Sequence, residues 1–124
     1  MRYPVVVVWN PAQIEPRTWD AVIAFYRQIA DQNEDFRPMQ VLAQHIASGP
    51  NACALSGATS GTALLVAPHG VDRASGALRI DVDFAGTIRF VRQGRPPAKP
   101  SVTQHSTPFL IAAFDAFVRR SEWG

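Results

Sequence analysis

Very little in this chain is a standard chemical handle. Among 124 residues there are one cysteine, one lysine and three histidines. Cys53 stands alone, which rules out an intrachain disulfide and a cysteine-stapled mini-protein. His45, His69 and His105 are scattered, without the close spacing that zinc ligands need on one helix or in one loop. There is no Gly-Lys-Ser/Thr ending of a phosphate-binding loop and no G-x-G-x-x-G, so no cofactor is expected. No apolar run approaches the roughly 20 residues of a membrane-spanning helix. The stretch Val5 to Trp9 is too short for the apolar part of a secretory signal. The expected location is the cytoplasm, with no membrane partner.

Charge is also sparse. The net charge is +2, and 18% of residues are charged, too weak a field for a histone-like nucleic-acid binder. Its distribution is uneven. Residues 1–88 hold six arginines against eight acids, and residues 89–124 hold five arginines and Lys99 against Asp115 and Glu122. Attraction for an anionic partner is therefore expected in the last third.

What is abundant is apolar: 47% of residues are hydrophobic and 10% aromatic. A chain of this length buries enough surface for one core without metals or disulfides, and residues 1–124 are expected to form one domain. Tyr3 to Trp9 is a β-branched run suited to a strand covered on both faces. A helix is expected to open at Pro16, with Trp19, Val22, Ile23, Tyr26, Ile29 and Ala30 on its apolar face. A second is expected from Pro38 to about Ala47, burying Val41, Leu42, His45 and Ile46 and ended by Gly49-Pro50. Residues 48–62 are nearly all small and read as loop, with a short strand at Ala52–Leu55; Ala63 to Ala67 reads as a strand.

In Leu78-Arg79-Ile80-Asp81-Val82-Asp83-Phe84 apolar and charged residues alternate, which predicts a strand with one buried and one wet face. A three-residue loop over 85–87 would pair Phe84 with Ile88 and Val82 with Phe90, and set Asp83 opposite Arg89. Residues 94–107 read as an exposed loop. Ser106-Thr107-Pro108 then begins a helix carrying Leu110, Ala113, Phe114, Phe117 and Val118. The class is α+β: a mostly antiparallel sheet of about four strands with three helices, mainly on one face, in the order β-α-α-β-β-β-α.

Asp81 and Asp83 form a D-x-D that could hold a metal, but Arg79 and Arg89 beside them favour a charge-paired surface. Gly57-Ala58-Thr59-Ser60-Gly61 imitates a nucleophile elbow, which needs a strand before it and a helix after it. Cys53 or Thr59 with His69 or His105 would serve a small hydrolase or transferase. The most suggestive pattern is Arg89, Arg92, Arg95 and Lys99, guanidinium-rich and running into a diproline segment. Together with Arg79, Asp81 and Asp83 these residues are the expected partner-binding surface. No aromatic-rich signature accompanies them, which argues against RNA reading. Phe25 and Phe109 lie off the helix stripes and complete the core or form an exposed patch.

The function expected from this surface is protein binding. Bacterial immunity proteins, which neutralise a cognate toxin by covering it, are compact modules of this type; the association is at the level of type alone. The partner would be a toxin domain with an acidic surface. A homodimer joined at a hairpin edge is the third reading, after the enzyme.

Overall fold

A computed structural model describes residues 16–50, 52–68, 76–84, 86–94 and 101–121. The expected strand Tyr3–Trp9, His69, Arg95 and Lys99 lie outside them. Helix α1 (Trp19–Gln32) is followed by a 3-10 turn (Glu34–Phe36), α2 (Arg37–Ser48), and strands β1 (Leu55–Ser60), β2 (Ala63–Pro68), β3 (Gly76–Phe84), β4 (Thr87–Gly94) and β5 (Ser101–Ser106). A second 3-10 turn (Thr107–Phe109) leads into α3 (Leu110–Ser121). The five strands form an antiparallel sheet in sequential order, so the class is α+β as expected.

The helices follow their apolar spacing. On α1 the buried residues Val22, Tyr26 and Ala30 recur every fourth position. Its start is not Pro16: the Thr18 hydroxyl accepts the Ala21 N–H at 3.1 Å, so the helix begins at Trp19. On α2 Met39, Leu42, Ala43 and Ile46 are buried, while Val41 is 45% exposed, correcting the expected stripe by part of a turn. The stripe of α3 is as expected at Leu110, Phe114, Phe117 and Val118, but Ser106 precedes a 3-10 turn rather than α3 and makes no side-chain cap. All three helices share one core with Leu55, Leu64, Val66, Leu78, Ile80, Ile88 and Phe90. The strand register puts those seven residues on one face of the sheet.

Two expected loops are strands. Residues 55–60 pair fully with β2 across a turn in which Gly61 takes φ +58. At Gly57 the missing side chain is a packing requirement. The Trp19 ring lies over Gly57, where a Cβ would come within 2.6 Å of it, and the indole Nε1 donates to the Leu55 carbonyl at 3.2 Å. The backbone of Arg17 bridges to Gly57 as well, its N–H donating at 2.8 Å. Tyr26, fully buried, donates its hydroxyl to the Thr62 carbonyl at 2.9 Å and ties α1 to the same hairpin. Residues 101–106 pair with β4 from Thr87 to Arg92. Five of the six are exposed and only Val102 is apolar, so hydrophobic alternation gave no warning of a strand.

The β3–β4 hairpin corrects the expected register. Val82 pairs with Ile88, Ile80 with Phe90 and Asp81 with Arg89, while Phe84 pairs with Thr87. The turn is the two-residue one, with Gly86 at φ +83. Without a bulge such a turn would set Asp83 opposite Ile88 and mix the two faces; here Asp83 is one extra residue between Val82 and Phe84, which keeps the faces apart. Asp83 therefore does not face Arg89.

Substituting Gly57→Ala should lower stability by about 1–3 kcal/mol, because a rigid indole cannot give way to the new methyl. The loss should shrink in a Trp19→Leu background, as a double-mutant cycle of urea unfolding would read.

Candidate functional site

The charged side of the β3–β4 hairpin is not the wet face that its alternation predicted. Asp81 is 8% exposed, and Ala77, Leu65 and Val91 on the same face of the sheet are buried too. A carboxylate leaves water only if donors replace it. Arg79 Nε reaches Asp81 Oδ2 at 3.2 Å, and Arg89 donates through Nε at 3.3 Å and Nη2 at 3.4 Å. The second aspartate goes elsewhere: Gln104 Nε2 on β5 donates to Asp83 Oδ2 at 2.6 Å. The D-x-D is thus split by the bulge, and among the described residues no group of three acids, histidines or cysteines could hold a metal ion.

The cations left over gather at the other end of β4. Arg92, on the helix side of the sheet, is exposed, and its guanidinium carbon lies 5.6 Å from the Phe117 ring centroid. Arg119 and Arg120 are exposed in the last turn of α3, where cations suit the helix dipole. Among the described residues neither Arg92 nor Arg120 has a carboxylate partner. Both line a cavity of about 120 Å³ between β4, β5 and α3. Its apolar floor is Leu78, Phe90 and Phe117, and Ser101, Thr103 and Ser121 add hydroxyls. His105 stands next to it, its ring 4.6 Å from that of Phe90 and its Nε2 3.0 Å from Thr103 Oγ1. Burial holds the imidazole below its ordinary range, and the Arg120 guanidinium lowers it further. The convergence of Arg120 with Arg92 depends on α3 crossing the end of the sheet, which no local pattern announces.

Among the described residues the candidate nucleophiles are not brought to His105. Thr59, Leu64, Ile80, Phe90 and Thr103 form one line across the sheet. Thr59 and the β5 strand carrying His105 are thus four strand spacings apart, about 19 Å. The Thr59 hydroxyl accepts from Arg17 Nη1 at 3.0 Å, and a guanidinium offers no basic lone pair. Strand β1 runs into a turn and β2, so the helix that a nucleophile elbow requires is absent after Thr59. Cys53 is exposed in the turn before β1. His45 is half-buried and fastens α2 to α3 through Asp115 Oδ1 at 2.9 Å. Of the two off-stripe aromatics, Phe25 packs against the core and Phe109 is 66% exposed.

Comparison with protein-family models, with curated proteins and with solved structures finds no match in any of the three. Among the described residues no helix is long and apolar enough to cross a membrane.

Two outcomes follow from this geometry. Asp81→Ala should cost about 2 kcal/mol in urea unfolding, since it leaves two half-buried guanidiniums facing each other. Asp83→Ala should stay within about 0.5 kcal/mol. For His105, the unfolded imidazole titrates near about 6.5 and the folded one lower. Between those values the unfolded chain binds more protons, so stability rises with pH and is fully present above about 6.5. A His105→Gln variant should flatten that part of the curve of unfolding midpoint against pH.

Proposed function

We propose that this chain is a protein-binding module, an immunity-type inhibitor that neutralises a bacterial toxin by occlusion. Its contact surface is the cationic end of the sheet and the adjoining strand β5. One observation carries the reading: Arg92, Arg119 and Arg120 are exposed together at one end of the molecule, two of them around one cavity. Exposed guanidiniums keep their water until a partner arrives and can then grip carboxylates bidentately. Beside them β5 is exposed along most of its length, and among the described residues nothing pairs with its outer side. Val102 at 47% and Phe109 at 66% exposure supply the apolar area that such contacts bury at their centre. Arg79, Asp81 and Arg89 act behind this surface by holding the hairpin.

The mechanism is steric cover guided by charge. A basic patch speeds encounter with an acidic face, and salt weakens that attraction. An inhibitor that imitated nucleic acid would have to be acidic, and this chain is mildly basic, with a sequence pI of about 9.2. A toxin that it covers would therefore be met on an acidic surface rather than at a phosphate-binding groove.

Co-expression with the product of the adjacent reading frame tests the reading. The expected result is a stoichiometric complex and relief of toxicity. Arg92→Glu with Arg119→Glu should weaken the complex about tenfold or more at low salt, and Phe109→Ser should weaken it without lowering the unfolding midpoint. Unchanged affinity in the charge-reversed variant would remove the electrostatic part. A concentration-dependent mass with no foreign partner would favour a homodimer paired along β5.

A further inference from the structure

We propose that the cavity between β4, β5 and the last turn of α3 is a binding site for a single carboxylate carried on a short apolar group, gripped by Arg92 and Arg120. The inference rests on the reading of this end of the sheet as a contact surface and says which chemical group that surface receives.

Two guanidiniums from different elements border the same cavity of about 120 Å³, and like charges held around one space favour an anion between them. Arg92 rests against the face of Phe117, which limits the orientations it must give up on binding. The carbonyl end of α3 opposes an anion with the equivalent of about half a negative charge. Two full positive charges outweigh it. Hydroxyls complete the donor set. When the imidazole proton is on Nε2, His105 donates to Thr103, and the threonine hydrogen is left to point into the cavity.

The floor and the size choose among anions. Leu78, Phe90 and Phe117 offer no hydrogen bonds, so an inorganic phosphate would lose water on one side without replacement. A carboxylate with a few carbons places its oxygens at the rim and its tail on the floor. The volume is equivalent to about four waters, well under the roughly 300–1,000 Å³ of clefts that hold drug-sized ligands. A glutamate or aspartate side chain of a bound protein and a free short-chain carboxylate share the chemistry that suits this cavity.

Propionate is the probe. It is titrated into the full chain at constant ionic strength, with backbone amide shifts as the readout and chloride as the matched control. Saturable shifts are expected at Ser101, Thr103 and Ser121, absent with chloride and weaker with inorganic phosphate. Arg92→Gln and Arg120→Gln should each reduce affinity about tenfold, and Arg92→Lys should lose part of it, because an ammonium cannot form the forked pair. Arg27→Gln, exposed on α1, should change nothing. Shifts that rise linearly without saturating, or that persist unchanged in Arg120→Gln, would overturn the site. Where a partner protein is in hand, competition by propionate identifies its own carboxylate as the occupant. Simultaneous binding identifies a free carboxylate ligand. If no partner is found but propionate saturates, the inhibitor reading fails and the site stands.

Discussion

The extra residue at Asp83 decides which way β4 faces, and most of the molecule follows from it. Because side chains alternate along a strand, shifting the pairing by one residue reverses every one of them. With the bulge in place, Ile88 and Phe90 join Ile80 and Leu78 under the helices, and Arg89 meets Asp81 on the opposite side. Arg92 then falls on the helix side at the end of the strand, where it lies against Phe117 of α3 and borders the cavity. The same bulge sends Asp83 to Gln104 and so ties β3 to β5 across the intervening strand.

The arginines fall into two populations with different consequences. Arg79 and Arg89 are committed to a carboxylate that is 8% exposed. Removing either ion from that arrangement would leave a charge in a poor dielectric, so this group serves the fold. Arg92, Arg119 and Arg120 are exposed, keep their hydration and add little to stability. Among the described residues they have no carboxylate partner, and with Arg95 and Lys99 they make up the excess of positive charge in residues 89–124. The function proposed for this protein rests on the second population, with the first holding the strands that present it.

The candidate site was partly legible in the sequence. The excess charge of the last third and the importance of Arg92 could be seen, because composition and strand position are local properties. Asp81 was visible as a charge-paired residue but not as a buried one. Its partner was misassigned because the expected register is two residues off, an offset that keeps every side chain on its face but exchanges Asp81 and Asp83 opposite Arg89. The pairing of Arg92 with Arg120 was not legible, since the two are 28 positions apart and meet only through the packing of α3 on the sheet.

By itself the sequence determined the three helices, their buried faces within part of a turn, the strands at 63–68 and 76–84 and the α+β class, since each is written in a period of 3.6 or 2 within one segment. Only the tertiary structure decided that residues 55–60 and 101–106 are strands. In the first, Trp19 occupies the space above Gly57 and bars a side chain there, and the second is mostly polar because it lies exposed beside β4. Neither therefore carries an apolar alternation of its own. Their conformation comes from hydrogen bonds to a neighbouring strand, and a partner that the chain supplies elsewhere leaves no mark on the segment it pairs with.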